Sequence, residues 1–199
     1  MSNGMETYVQ KKIVKDESSL SEFLQQYLHA LSYSEIGFAA HAASGEDITL
    51  LDHLCGASRS PRELREGSMK LYSRFQKALK YMGDYPALEE YWRTIKESSC
   101  DGHYCIAVGL LIQDLKVDIR EGLQLFAYNQ ISSMVNHAVK LIPLRQLEGQ
   151  RALKQAAEVI PEVVNHAMNC KLELLGVTGP GFDFRSMEHE YLEARMYLS

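Results

Sequence analysis

The sequence predicts an all-α, single-domain bundle of roughly eight to ten helices with a flexible C-terminal tail. Three observations carry this. Apolar residues recur at three-to-four-residue spacing along most of the chain, helix start and stop signals fall between those stretches, and alternating strand-like runs are nearly absent. At 199 residues, 46% hydrophobic and 24% charged, the chain has the length and composition for one sizeable core. A single domain over 1–199 follows, with no internal repeat or linker.

The elements read in order. Ser19 and Glu22 form a capping-box pattern ahead of "FLQQYLHAL", where Phe23, Tyr27 and Leu31 share a face. Glu35 to Ala43 makes a second segment, stopped by Ser44-Gly45. Asp47 caps a short helix through Leu54, closed by Gly56. Ser60-Pro61-Arg62-Glu63 opens a long helix to about Met82, with hydroxyl at the N-cap and proline at the first helical position. Gly83-Asp84 ends it, Pro86 opens "ALEEYWRTIKE", and Asp101 caps "GHYCIAVGLLIQDLK". Asp118 starts a helix reaching Ile142, in which Ile119, Leu123, Phe126, Met134, Ala138 and Leu141 keep helical spacing. After Pro143 come helices from about Gln146 to Glu158 and from Glu162 to Lys171. The glycines and proline of "GVTGPGFD" break the pattern, so 176–199 is expected as a loop and partner-docking tail.

Charge and motifs exclude several functions. A formal charge of -5 and a pI near 5.8 disfavour nucleic acid and anionic membrane surfaces. The longest apolar run, Cys105 to Ile112, falls far short of the ~18 residues of a membrane span. Four cysteines without framework spacing, and no charged leader followed by an apolar stretch, fit a reduced cytoplasm. Neither a phosphate-cradling GxxxxGK[ST] loop nor a metal-binding HExxH occurs.

Three polar groups stand out. "SSCDGHYC" puts Cys100, Asp101, His103 and Cys105 within six positions. A structural zinc site takes four ligands, commonly in paired spacings, so this stretch reads first as a capped helix start with small buried cysteines. Its alternative is a helical-bundle enzyme, or a small-ligand or metal-binding protein, using Cys100, His103 and Cys105 in an interhelical pocket. Between 57 and 80, seven basic residues stand against two acidic ones. Of these, Arg59, Arg62 and Arg65 precede Lys70, Arg74 and Lys77, which share one helical face that Lys80 extends. That stripe is either a solvated helix face or a patch steering an acidic partner. In "LIPLRQLEGQR", Arg145, Gln146, Gln150 and Arg151 either tie the free carbonyls ending the preceding helix or present a functional surface. Glu188, His189 and Glu190 are adjacent and point about 100 degrees apart on a helix, so they do not converge.

Four segments taken in order, "GMETYVQ", "GHYCIAVGL", "NHAVKLIPLRQLEGQR" and "SMEHEYLEARMYLS", resemble the urease accessory protein UreF family across nearly the whole chain. The resemblance implies an all-α, usually dimeric, cytoplasmic protein without catalysis, metal ligands or cofactor of its own. Members bind a second accessory protein (UreD, also called UreH), recruit the nickel-carrying GTPase UreG, and act on apo-urease so that its nickel centre assembles. By position, Gly4, Met5, Glu6 and Tyr8 match the family's first segment, and Gly102, His103 and Tyr104 match its Gly-His/Asn-Tyr turn. Ile142, Pro143, Leu144, Gln146, Gly149, Gln150 and Arg151 match its Ile-Pro-Leu corner. Ser186, Met187, His189 and Glu190 match the tail, with Glu188 where arginine is frequent. The implied partner-binding residues are Glu6, Tyr8, Arg145, Gln146, Gln150, Arg151, Ser186, Met187, His189 and Glu190. Members also carry a further segment ahead of the first motif, where only Met1-Ser2-Asn3 precede Gly4 here.

Overall fold

A computed structural model describes residues 4–177 and 180–189, except the side chains of Pro180 and His189. Among these residues there are eleven α-helices and a 3₁₀ turn at Leu172–Leu174. The helices are α1 (Met5–Gln10), α2 (Glu17–Leu31), α3 (Glu35–Ala43), α4 (Ile48–Ser58), α5 (Arg62–Leu79), α6 (Pro86–Lys96), α7 (Tyr104–Asp114), α8 (Ile119–Leu141), α9 (Gln146–Ala157), α10 (Ile160–Asn169) and α11 (Pro180–His189).

The centre is the pair α3 and α7. Both are apolar nearly all round, the mark of a fully enclosed helix: Ile36, Phe38, Ala39 and Ala42 of α3 and Cys105, Ile106, Ala107 and Leu110 of α7 are buried. Small residues let them approach closely, since a Cβ added at Gly109 would stand 2.3 Å from the Ala39 carbonyl oxygen. Around the pair, α8 runs across the bundle with Leu123, Ala127, Ile131 and Met134 inward. The amphipathic α2, α9 and α10 pack against α8, and α10 also against α3.

Caps explain where several helices begin. Asp47 accepts from Thr49 N and Leu50 N at 2.9 and 3.1 Å, and Asp118 accepts from Glu121 N at 3.1 Å, as the sequence predicts. Two starts differ. The N-cap of α2 is Asp16, which accepts from Ser19 N at 2.9 Å while Ser19 Oγ accepts from Asp16 N at 3.1 Å. Ser19 is therefore the inner partner of the capping box, because the helix begins at Glu17. The long basic helix begins at Arg62, and its N-cap position is Pro61, in an extended conformation (ψ 123°), rather than Ser60.

Part of the expected tail is regular. Pro180 and Gly181 open α11, where their weak helix propensity matters little, and Phe182 folds back among Tyr8, Phe23 and Tyr27 with ring centroids 5.8 to 6.0 Å away. The remaining tail, 190–199, lies outside the described residues.

Candidate functional site

The most polar interior group is built at the start of α7. The chain enters this helix through Asp101-Gly102-His103, whose amides point into the protein and need acceptors. Asp52, fully buried on α4, supplies them: its carboxylate accepts from Asp101 N at 2.7 Å and from Gly102 N at 3.1 Å. Tyr91 of α6 donates its hydroxyl to the same carboxylate and accepts from His103 N at 2.7 Å. Ser68 of α5 accepts from Tyr104 N at 3.2 Å. One helix entrance thus joins α4, α5, α6 and α7. Gly102 is required there, because its φ is +92° and a Cβ would meet the Tyr72 ring at 2.9 Å.

This geometry corrects the expected cap. Asp101 is exposed and caps nothing with its carboxylate; the capping acid is Asp52, fifty positions before Gly102. Asp52 is the residue that sequence reasoning missed. The available signal was an acid in "ITLLDHLCG" one position after Leu51 and three before Cys55, on a face otherwise apolar.

The expected Cys100, His103 and Cys105 set does not converge. Cys105 Sγ lies 3.5 Å from Cys55 Sγ, on the side where Arg59 reaches both sulfurs. Cys100 Sγ lies 4.0 Å from Thr49 Oγ1. His103 turns instead toward Asp52 and Asp101, and the nearest ligand-type atoms of these three all lie within 4.8 Å of one another. Its ring is fully buried, and neither nitrogen has a hydrogen-bond partner among the described residues. Burial, and next the positive charge of Arg59, lower its pKa to about 4, so the imidazole is neutral near pH 7. Burial and the adjoining Asp52 carboxylate push the Tyr91 hydroxyl well up, so Tyr91 stays a donor.

Arg59, placed by the sequence with the basic surface, is buried. Its guanidinium pairs with Glu35 at 2.8 Å and donates to the Cys55 carbonyl at 2.9 Å, tying α3 to the end of α4. Burial pushes the Glu35 carboxyl up, but the charge and hydrogen bonds around it, Arg59 foremost, bring it below the usual glutamate range. Lys70, Arg74 and Lys77 are exposed on one face of α5. Beside it a cleft of about 850 Å³ separates α5 from α6, with Leu79, Lys80, Tyr85, Trp92 and Lys96 along it.

Helices α1 and α11 meet. Thr7 Oγ1 donates to the Arg185 carbonyl at 3.1 Å, and Glu188 accepts from Lys11 and Arg185, each at 2.6 Å. Glu6 and Ser186 are buried in this contact, Tyr8 stacks edge-on against Phe23 at 4.9 Å, and Met187 is half-buried. His189 ends α11, and Glu190 lies outside the described residues. At the corner, Arg145, Gln146, Gln150 and Arg151 are all exposed. None ties the last carbonyls of α8 among the described hydrogen bonds; Arg151 instead forms a two-pronged pair with Glu17 of α2 at 2.6 and 2.8 Å.

These features define an all-α bundle whose internal polar groups join helix ends and whose exposed polar stretches lie on α5 and α9. No helix among the described residues is long and apolar enough to cross a membrane. The UreF family model matches residues 14–157. The chain is 36% identical over 205 positions to the urease accessory protein UreF of Actinobacillus pleuropneumoniae serotype 5b (strain L20), covering 100% of this chain and 90% of that protein. It is 32% identical to the protein of the same description from Paenarthrobacter aurescens (strain TC1), over 98% of this chain and 88% of that one. A relative from Bacillus sp. (strain TB-90), again described as urease accessory protein UreF, is 30% identical over 98% of this chain. The chain belongs to the UreF family of urease accessory proteins.

Proposed function

We propose that this protein is a non-catalytic, cytoplasmic maturation factor for urease. It binds the accessory protein UreD/UreH as a homodimer and recruits the GTPase UreG to apo-urease for assembly of the nickel centre. The observation that carries this reading is the relationship to urease accessory proteins running through the whole chain, at 36% identity and 100% coverage. Two surfaces support it. The α9 corner carries Arg145, Gln146 and Gln150 outward with Leu147 67% exposed, an apolar side chain amid polar ones, as protein interfaces commonly have. The α5 stripe of Lys70, Arg74 and Lys77 offers positive charge from an otherwise acidic molecule, which favours an acidic partner surface.

Size-exclusion chromatography with light scattering, alone and with UreD and then UreG added, tests the reading. Dimer mass alone, and co-elution first with UreD and then with both, are expected. A folded protein that captures neither partner overturns the reading, and GTP turnover measured on the same complex reports whether UreG is stimulated.

A further inference from the structure

We propose that Asp52, Asp101 and His103 form a binding site for one divalent first-row transition-metal ion. The three ligand-type atoms lie within 4.8 Å of one another. Metal–ligand bonds of about 2.0–2.2 Å place two ligands of one ion no more than ~4.4 Å apart, so closing the set takes a few tenths of an ångström. Asp101 is exposed and can move that far, and its exposure supplies the route in.

The imidazole independently points to a ligand. His103 is 0% exposed, and among the described residues no group bonds either ring nitrogen. Buried polar atoms in folded proteins are nearly always satisfied, and imidazole nitrogen is the commonest metal ligand. Gly56 of α4 borders the space between two of the three ligands. A Cβ there would meet two atoms only, His103 Nε2 at 3.3 Å and Asp101 Oδ2 at 3.5 Å, so both face the same small space that the glycine leaves open.

Asp52 keeps the capacity to ligate. Its carboxylate has about four lone-pair sites, and Asp101 N, Gly102 N and the Tyr91 hydroxyl use three. Those donors fix its orientation, the role that outer-shell hydrogen bonds play around metal ligands. One nitrogen with two carboxylate oxygens suits zinc, cobalt, nickel, manganese or ferrous iron rather than a soft thiolate metal. Arg59, the positive charge that bears on His103, is itself balanced by Glu35 at 2.8 Å.

The site stands apart from partner capture, and either can fail alone. Full-length protein stripped with chelator is dialysed against Co²⁺ and Zn²⁺, and bound metal is counted, with the visible absorption of cobalt as a second readout. One equivalent is expected. Asp101→Asn is expected to weaken binding at least about tenfold, because even outer-shell losses cost 10–100-fold. Gly56→Ala fills the shared space with a Cβ 3.3 Å from His103 Nε2, which must shift by a few tenths of an ångström, and it is expected to weaken binding likewise with unchanged circular dichroism. His29→Gln, in the separate cleft between α2 and α10, is expected to leave binding intact. Absence of one-equivalent binding, or affinity unchanged in Asp101→Asn, overturns the proposal.

Discussion

Arg59 illustrates how a residue's sequence company misleads about its place. It stands in a run of basic residues and looks like surface, yet it turns inward because the Cys55 carbonyl and the Glu35 carboxylate both lie within its reach. A buried ion pair gains little over an apolar replacement, but removing one partner strands a charge, which costs on the order of 3 kcal/mol or more. Glu35→Gln is therefore expected to lower stability by about 3 kcal/mol at pH 7, read as a shift in urea midpoint. The pH dependence has a defined sign. Glu35 has a folded pKa below its ordinary value near 4.5, so its contribution is complete above that value and is lost as pH falls through the lower, folded one. The gap between wild type and Glu35→Gln should accordingly close below about pH 4.5. A gap that stays constant down to pH 3 would show that the pair contributes nothing through its charge. Asp52 was hidden for the same kind of reason. A lone acid on an apolar helix gives no sign of which distant amides it will meet.

At the scale of elements, local spacing found the aspartate caps of α4 and α8 but set the α2 cap three residues late, at Ser19 in place of Asp16. Asp47 and Asp118 bond amides two or three residues on, so spacing alone finds them. Where a helix is capped from elsewhere, spacing is silent. The start of α7 is held by Asp52, Tyr91 and Ser68 from three other helices, and the start of α6 by Asp114, which accepts from Ala87 N and Leu88 N at 3.0 and 3.2 Å. Close packing is equally non-local. The apolar run of α7 announced a buried helix but not that Gly109 would rest on the backbone of α3. Gly109→Ala tests that contact: an added Cβ 2.3 Å from the Ala39 oxygen and 2.8 Å from the Ala42 Cβ forces the two central helices apart. Overpacking of this kind costs about 1–3 kcal/mol, well beyond the gain in helix propensity. A drop of several degrees in the thermal midpoint is expected, and a rise would mean that α3 and α7 do not cross there.

Across the whole molecule α1 and α11 are joined, and this joint differs in strength from the core. The α3 and α7 pair is buried along most of its length, whereas the described contacts of α11 include the aromatic packing of Phe182, a hydrogen bond from Thr7 to the Arg185 carbonyl and ion pairs at the surface. Phe182 sits among Tyr8, Phe23 and Tyr27, while Lys11 and Glu188 are each close to half exposed and contribute little. A segment held this way opens at lower free energy than the body it leans on. The sequence showed the break at "GVTGPG" but not the return, because nothing in the spacing of 180–189 says that Phe182 will find an aromatic cluster built from α1 and α2. Phe182→Ala removes about 2 kcal/mol of half-buried aromatic contact, so the population of opened α11 should rise roughly 30-fold. Hydrogen–deuterium exchange reads this directly: amides of 183–189 should exchange at least about tenfold faster, while those of α3 and α7 keep their protection. Equal acceleration in both regions would mean that α11 opens only when the core does. Its contact with α1 would then belong to the cooperative fold rather than to a segment able to part from it.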